Sequence, residues 1–330
     1  MAEEVSTVSY EDLALIEEEF EDIDTEILRQ QYKLSQPAYA KREETLKKIE
    51  NFWPLVFEQA PMEVDGYIQA QDSRIFAESL LSIKVTRPEI DDPKGSPRSF
   101  TIDFEFKPND DFEDTHLSKT FWYRRSSDDE ANLVSEPVKI NWKKGKDLTE
   151  GLTDGAVALW EARKKTGDMA GKGLPEYTAL KEKVENLSGA NTSFFTFFGW
   201  VSSGRWVSKE ESEKANQAHR EKRAARQRGE KIDEPEDEKD EEDEDYGDSE
   251  VEVHEAGEHL AITIAEDIWP NAIKFFSQAQ ELGDMSDVEF EDDDEEDDES
   301  EPVDIRALVD DSKKKKRVSD SGPPAKKQKK

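Results

Sequence analysis

Histidines, carboxylates and serines are the side chains through which this sequence could do chemistry, and their spacing favours binding by charge over catalysis. The stretch His254-Glu255-Ala256-Gly257-Glu258-His259 holds the residue types of a zinc-protease helix. Two metal ligands on one helical face need an i, i+4 separation. Here the histidines stand five apart with Gly257 between them, so no zinc is expected. The chain has four histidines and no cysteine, which leaves no thiolate ligand, disulfide or cysteine nucleophile. No Gly-rich loop ends in Lys-Ser or Lys-Thr, and Gly171-Lys172-Gly173 is too short to cradle a phosphate. The expectation is a protein without catalytic residues, metal, cofactor or small-molecule substrate.

Charge is the stronger signal. Asp and Glu number 81 against 46 Lys and Arg, a net charge of -35. Such a balance repels phosphate backbones and acidic membranes and attracts strongly cationic partners. Residues 291 to 299 are all Asp or Glu, so Glu291, Asp292, Asp293, Asp294, Glu295 and Glu296 are candidate contacts to a basic partner. The alternative is a run that only solvates the chain. Lys313, Lys314, Lys315, Lys316 and Arg317, followed by Lys326 and Lys327, read as a nuclear import signal for an import receptor. Their alternative role is an internal counterion to the acidic run. Ser249 and Ser286 each have a glutamate three residues on, Glu252 and Glu289, which makes both candidates for acidophilic phosphorylation. The Arg-rich run at 222 to 228 could be a second import signal or a DNA contact. The acidic block beside it, at 233 to 245, makes self-neutralisation at least as good a reading, and no DNA site is assigned.

The elements that must carry these residues show in the periodicity. Leu13, Ile16, Phe20, Ile23, Ile27 and Leu34 recur at three-four spacing and form one coiled-coil seam on a helix expected over 10 to 53. A helix of about 40 residues is roughly 60 Å long, more than a small domain covers, so a second copy of the chain is the natural cover. Pro37 should kink or loosen it. From Leu80 to Trp142 the period changes to two. Leu81, Ile83 and Val85 make one strand, and Phe100, Ile102, Phe104 and Phe106 a second. A third is expected from Leu117 to Arg124, and Val138, Ile140 and Trp142 suggest a fourth. Helical stretches follow at about 175 to 188, 194 to 198, 258 to 267 and 270 to 280. Together they give an α+β fold, a long N-terminal helix followed by an antiparallel four-stranded sheet covered by helices. Residues 1 to 9, 209 to 232, 284 to 311 and 312 to 330 are expected to be disordered, the last two as acidic and basic tails. The N-terminus lacks the pattern of a signal peptide and no run of about 18 apolar residues occurs, so a soluble, non-secreted chain is expected.

Six motifs in order carry a family resemblance. The seam helix leads into Leu34-Ser35-Gln36-Pro37-Ala38-Tyr39-Ala40-Lys41-Arg42 and Ile49-Glu50-Asn51-Phe52-Trp53. Then come Ile102-Asp103-Phe104-Glu105-Phe106, Leu117-Ser118-Lys119, Ile140-Asn141-Trp142-Lys143-Lys144-Gly145-Lys146-Asp147-Leu148-Thr149, Ser193-Phe194-Phe195-Thr196 and Glu266-Asp267-Ile268-Trp269-Pro270-Asn271. In this the chain resembles the nucleosome assembly protein family, and within it the SET or template-activating-factor branch. The resemblance implies a homodimer shaped like headphones, in which paired long helices carry an α+β "earmuff" domain at 54 to 283 whose acidic concave underside faces core histones. Insertions relative to the branch fall at about 150 to 192 and 200 to 254. The resemblance maps histone contacts onto Thr196, Glu258, Glu266 and Asp267. The chain departs from the family pattern at Gly199, Trp200 and His259. What it implies is a histone chaperone in the nucleus, acting on chromatin without chemistry of its own, with shuttling to the cytoplasm left open. Its SET branch also implies a regulator of a phosphatase or a histone acetyltransferase.

Overall fold

The computed structural model describes residues 10–187, 192–228, 230 and 250–289. Helix α1, Tyr10–Leu46, continues through Pro37 without interruption. It stops seven residues short of Trp53, because Ile49 N closes on Leu46 O at 2.9 Å and Asn51 turns left-handed at φ 56°. A separate helix α2, Phe52–Glu58, follows, and Pro54 sits in its first turn, where a missing N–H costs nothing. All of Phe52 to Phe57 is buried. Helices α3, Met62–Asp65, and α4, Ala70–Ser79, lead into the sheet.

Four antiparallel strands lie in the order β1-β2-β3-β4: Leu80–Thr86, Phe100–Phe106, His116–Arg125 and Ala131–Ser135. Strand β2 keeps strict alternation, with Phe100, Ile102, Phe104 and Phe106 buried. Strand β1 does not. Its register against β2 shifts between Leu80 and Ser82, so Leu80, Ile83 and Val85 point inward while Leu81 is 50% exposed. One inserted residue reverses the phase of a period-two pattern, which corrects the expectation that Leu81 shares the face of Ile83. The fourth strand is also not where periodicity put it. A tight turn at 126 to 130, with Asp129 at φ 74°, returns the chain at once onto β3, so residues 131 to 135 take the pairing. Pro137 cannot donate to a ladder. Residues 138 to 142 cross the domain instead, with Val138 N bonded to Phe198 O and Trp142 bridged to Phe112.

Helix α5, Leu152–Thr166, and helix α6, Pro175–Leu187, share a small core of Leu152, Ala156, Leu159, Tyr177, Leu180 and Val253. The 3-10 helix Phe194–Gly199 supplies the aromatic centre of the main core. Residues 209 to 227, expected to be unfolded, form helix α7, Lys209–Gln227, opened by Ser208 accepting from Glu211 N. Helix α8, Gly257–Thr263, continues through a π-helical turn, Ile264–Ile268, and α9, Ala272–Glu289, packs on α2.

Candidate functional site

Local sequence explains how the motif Ser193-Phe194-Phe195-Thr196 is held. Asp72, fully buried near the start of α4, accepts from Ser193 Oγ at 2.6 Å, Phe194 N at 2.8 Å and Gln69 N at 2.9 Å. One carboxylate therefore caps two helices. Burial pushes the Asp72 pKa up, and these three hydrogen bonds pull against it. Thr196 is also fully buried, its hydroxyl donating to Ser193 O at 2.8 Å. It therefore does not stand on a surface with the other candidate residues. At the far end of the 3-10 helix, Lys119 reaches from β3 to the carbonyl oxygens of Glu136, Phe198 and Trp200 at 3.0, 3.2 and 2.7 Å. Burial pushes this lysine well below its ordinary pKa, while three carbonyl acceptors match the three donors of an ammonium.

Two of the positions that depart from the family pattern, Gly199 and Trp200, have packing reasons. A Cβ on Gly257 would stand 2.2 Å from Trp200 Cδ1, and one on Gly199 would stand 2.8 Å from Val253 Cγ2. Trp200 is thus wedged against Gly257 at the start of α8, while Gly199 lets the 3-10 helix approach Val253 and α5. The two histidines of the 254 to 259 stretch lie in different surroundings. His254 is buried between Tyr67 and Phe197 with its pKa pushed down to about 4 by burial, while His259 is exposed. Among the described residues no group of three metal-ligating side chains converges.

The candidate carboxylates on α8 and on the π-helical turn after it are at least partly open to solvent. Glu266 is half exposed and pairs with Arg87 at 3.0 Å, and Asp267 accepts from Asn271 Nδ2 at 2.9 Å. Glu258 is partly buried, accepting from Ser203 Oγ at 2.9 Å and Leu133 N at 3.3 Å, so part of its capacity is spent on holding β4. Upstream, Glu250, Glu252 and Glu255 crowd the same segment. Burial, together with the charges of Glu258, Glu250 and Glu255, raises the Glu252 pKa to about 7. A carboxyl that keeps its proton so far up the scale reports a strongly negative local field and partial exclusion of water. Sequence reasoning missed Glu252 as part of this group, although the i, i+2 run Glu250, Glu252 and then Glu255 was visible.

Helix α1 offers a different surface. Leu13, Ile16, Phe20, Ile23, Ile27 and Leu34 are each more than half exposed, Leu34 by 79%. Arg42 fastens the other end of α1 to the domain, donating to Trp269 O at 2.7 Å and Pro270 O at 3.1 Å while lying over the Trp269 ring at 4.6 Å. Glu291, Asp292, Asp293, Asp294, Glu295, Glu296, the basic clusters at 313 to 317 and 326 to 327, Ser249 and the Ser286 side chain lie outside the described residues.

A four-stranded α+β domain hung from a long helix with an open apolar seam defines the class. Residues 3–279 match the model of the nucleosome assembly protein family, and the chain belongs to that family. It is 36% identical over 150 residues to a putative nucleosome assembly protein of Schizosaccharomyces pombe, a match covering 42% of this chain and 59% of that protein. Protein SETSIP of Homo sapiens is 34% identical over 148 residues, 45% of this chain and 47% of that one. The chain thus spans about half the length of the curated relatives it matches first. The crystal structure of Ccp1 is similar over 82% of this chain and 95% of its own, at 27% identity and a TM-score of 0.48.

Proposed function

We propose that this chain is a homodimeric, nuclear histone chaperone that shields the charge of core histones and releases them during nucleosome assembly, without catalysing a reaction. The observation that carries this reading is the group of carboxylates on the folded domain, Glu250, Glu252, Glu255 and Glu258 close enough to act on one another and Glu266 half exposed beyond them. Histones present dispersed Lys and Arg, for which many carboxylates at mixed distances suit better than one pocket. Family membership supports the same partner. Glu258, Glu266 and Asp267 are the proposed contacts on the domain, with residues 291 to 296 adding field. Thr196 acts from within, by holding the 3-10 helix. The exposed α1 seam supports dimerisation, since two such stripes pairing would remove six large apolar side chains per chain from water. The clusters at 313 to 317 and 326 to 327 are proposed to engage an import receptor.

Pull-down from nuclear extract at low and high salt tests this. Core histones captured at low salt and lost at high salt are expected, because exposed charge attraction is screened within about 8 Å at physiological ionic strength. Capture of naked DNA without histones would overturn the proposal. Salt-resistant capture of a phosphatase or acetyltransferase would favour the regulatory reading in its place.

A further inference from the structure

Helix α7 is fastened along its whole length to three other elements. Its start is tied to the β1-β2 connection, where Lys209 meets Asp92 at 3.2 Å and Glu213 meets Lys94 at 3.1 Å. Its middle is held by the β3-β4 hairpin: Ser212 Oγ accepts from Arg125 N at 3.0 Å, and His219 Nδ1 lies 2.9 Å from Asp129 Oδ1. Its end reaches α1, where Arg223 and Arg226 approach Glu18 at 3.1 and 3.2 Å and Arg223 approaches Asp22 at 2.6 Å. Glu18 is only 12% exposed there, so these are not loose surface pairs.

The face of α1 that α7 uses is the decisive point. At about 100° per residue, Glu18 and Asp22 fall on the side of the helix opposite Ile16, Phe20, Ile23 and Ile27. Near its own domain α1 is held by Tyr32, Tyr39 and Arg42, all in its second half. Without α7 its first half, about 30 Å of helix, would project with no support from the domain. An arm of that length turns a small change of angle at its root into a large displacement at its tip. We propose that α7 is a strut which fixes the angle between α1 and the domain while leaving the apolar seam free, and thereby sets how far apart the two domains of a dimer stand. The spacing part rests on the dimer reading above; the strut itself concerns a single chain.

The absence of cysteine makes the test direct, because introduced cysteines are the only labelling sites. Spin labels on Glu19→Cys and Lys144→Cys of the full chain, diluted into excess unlabelled chain, report the distance from α1 to the domain within one protomer. That distance is readable whether the chain is a monomer or a dimer, and sedimentation decides the oligomer separately. A narrow distribution is expected, broadened by Glu18→Arg and by Arg223→Glu alone and narrowed again in a combined variant that exchanges the whole cluster, Glu18→Arg and Asp22→Arg with Arg223→Glu and Arg226→Glu. Broadening of the parent chain by 1 M salt is expected as well. An unchanged distribution in both single variants overturns the strut, as does failure of the combined variant to narrow it while circular dichroism shows the helices intact.

Discussion

Glu252 carries a proton under conditions where a solvated glutamate has lost it, and that has a thermodynamic consequence with a definite sign. Its folded pKa, about 7, lies above its unfolded value, so the folded state binds more protons between the two. The contribution is therefore most favourable below the unfolded pKa and is lost as pH rises towards 7 and beyond. Glu252→Gln, which mimics the protonated form, should leave the urea midpoint nearly unchanged at pH 5 and raise stability at pH 8. The gain expected is of order 1 kcal/mol, reduced from the full shift because the group is partly open to solvent. Equal midpoint differences at the two pH values would mean that Glu252 titrates normally. Thr196 offers a second residue-scale test. Because its hydroxyl serves Ser193 O inside the core, Thr196→Val should cost about 1 kcal/mol or somewhat more in stability. Histone affinity of the folded variant should stay within twofold of the parent; a loss larger than that in a binding titration would return Thr196 to the contact surface.

At the scale of elements, the α1 seam is the longest run of exposed large apolar side chains among the described residues, and its role is open to direct measurement. Replacing Ile16, Phe20, Ile23 and Ile27 with Ser should give monomers in sedimentation equilibrium while the domain keeps its near-ultraviolet dichroism, since none of the four is buried in the domain's core. A dimer that persists would place the interface elsewhere. What was legible from sequence at this scale follows from how far each signal is local. The α1 seam and the β2 alternation read directly, because each repeats over several periods. Leu81 was misplaced because a bulge is a single-residue event that period-two counting carries straight across. The fourth strand was misplaced because the short hairpin at 126 to 130 carries no Asn-Gly or Asp-Gly signature, while Ile140 and Trp142 look strand-like for another reason: they plug the core from a crossing segment. Helix α5 was overlooked although Leu152, Ala156, Leu159 and Trp160 hold helical spacing and Gly167 ends it at φ 76°. Helix α7 was read as unfolded from charge density alone, and that reasoning fails when the compensating carboxylates Glu18, Asp22 and Asp129 are remote in sequence. The acidic surface was half legible for a related reason. Composition announced it, but only the fold tells Glu266, which is exposed, from Thr196, which is enclosed.

Across the whole molecule, the distribution of charge separates two roles that the C-terminal sequence could play. Residues 291 to 330 carry 14 carboxylates against 10 basic side chains, a net -4 of the chain's -35. The remainder therefore keeps nearly all of the negative charge. Removing residues 291 to 330 should weaken core-histone binding by no more than about tenfold at physiological salt if the folded carboxylates and the acidic block at 233 to 245 together supply orientation and most of the field. Residues 312 to 330 alone hold nine basic side chains and one carboxylate, so a chain ending at 311 carries -43. If the basic clusters neutralise the acidic run in cis, that shorter chain should bind histones more tightly than the parent and show a steeper loss of affinity with salt. If they serve only import, histone affinity should be the same with and without them, and a fluorescent fusion should lose nuclear accumulation. Titrations of labelled histone with the three chains at two salt concentrations, together with imaging of the fusions, separate these outcomes. We expect the import outcome to hold for localisation and the tighter, more salt-sensitive binding to appear as well, because the nine basic side chains of residues 312 to 330 follow closely in sequence on the nine consecutive carboxylates of residues 291 to 299.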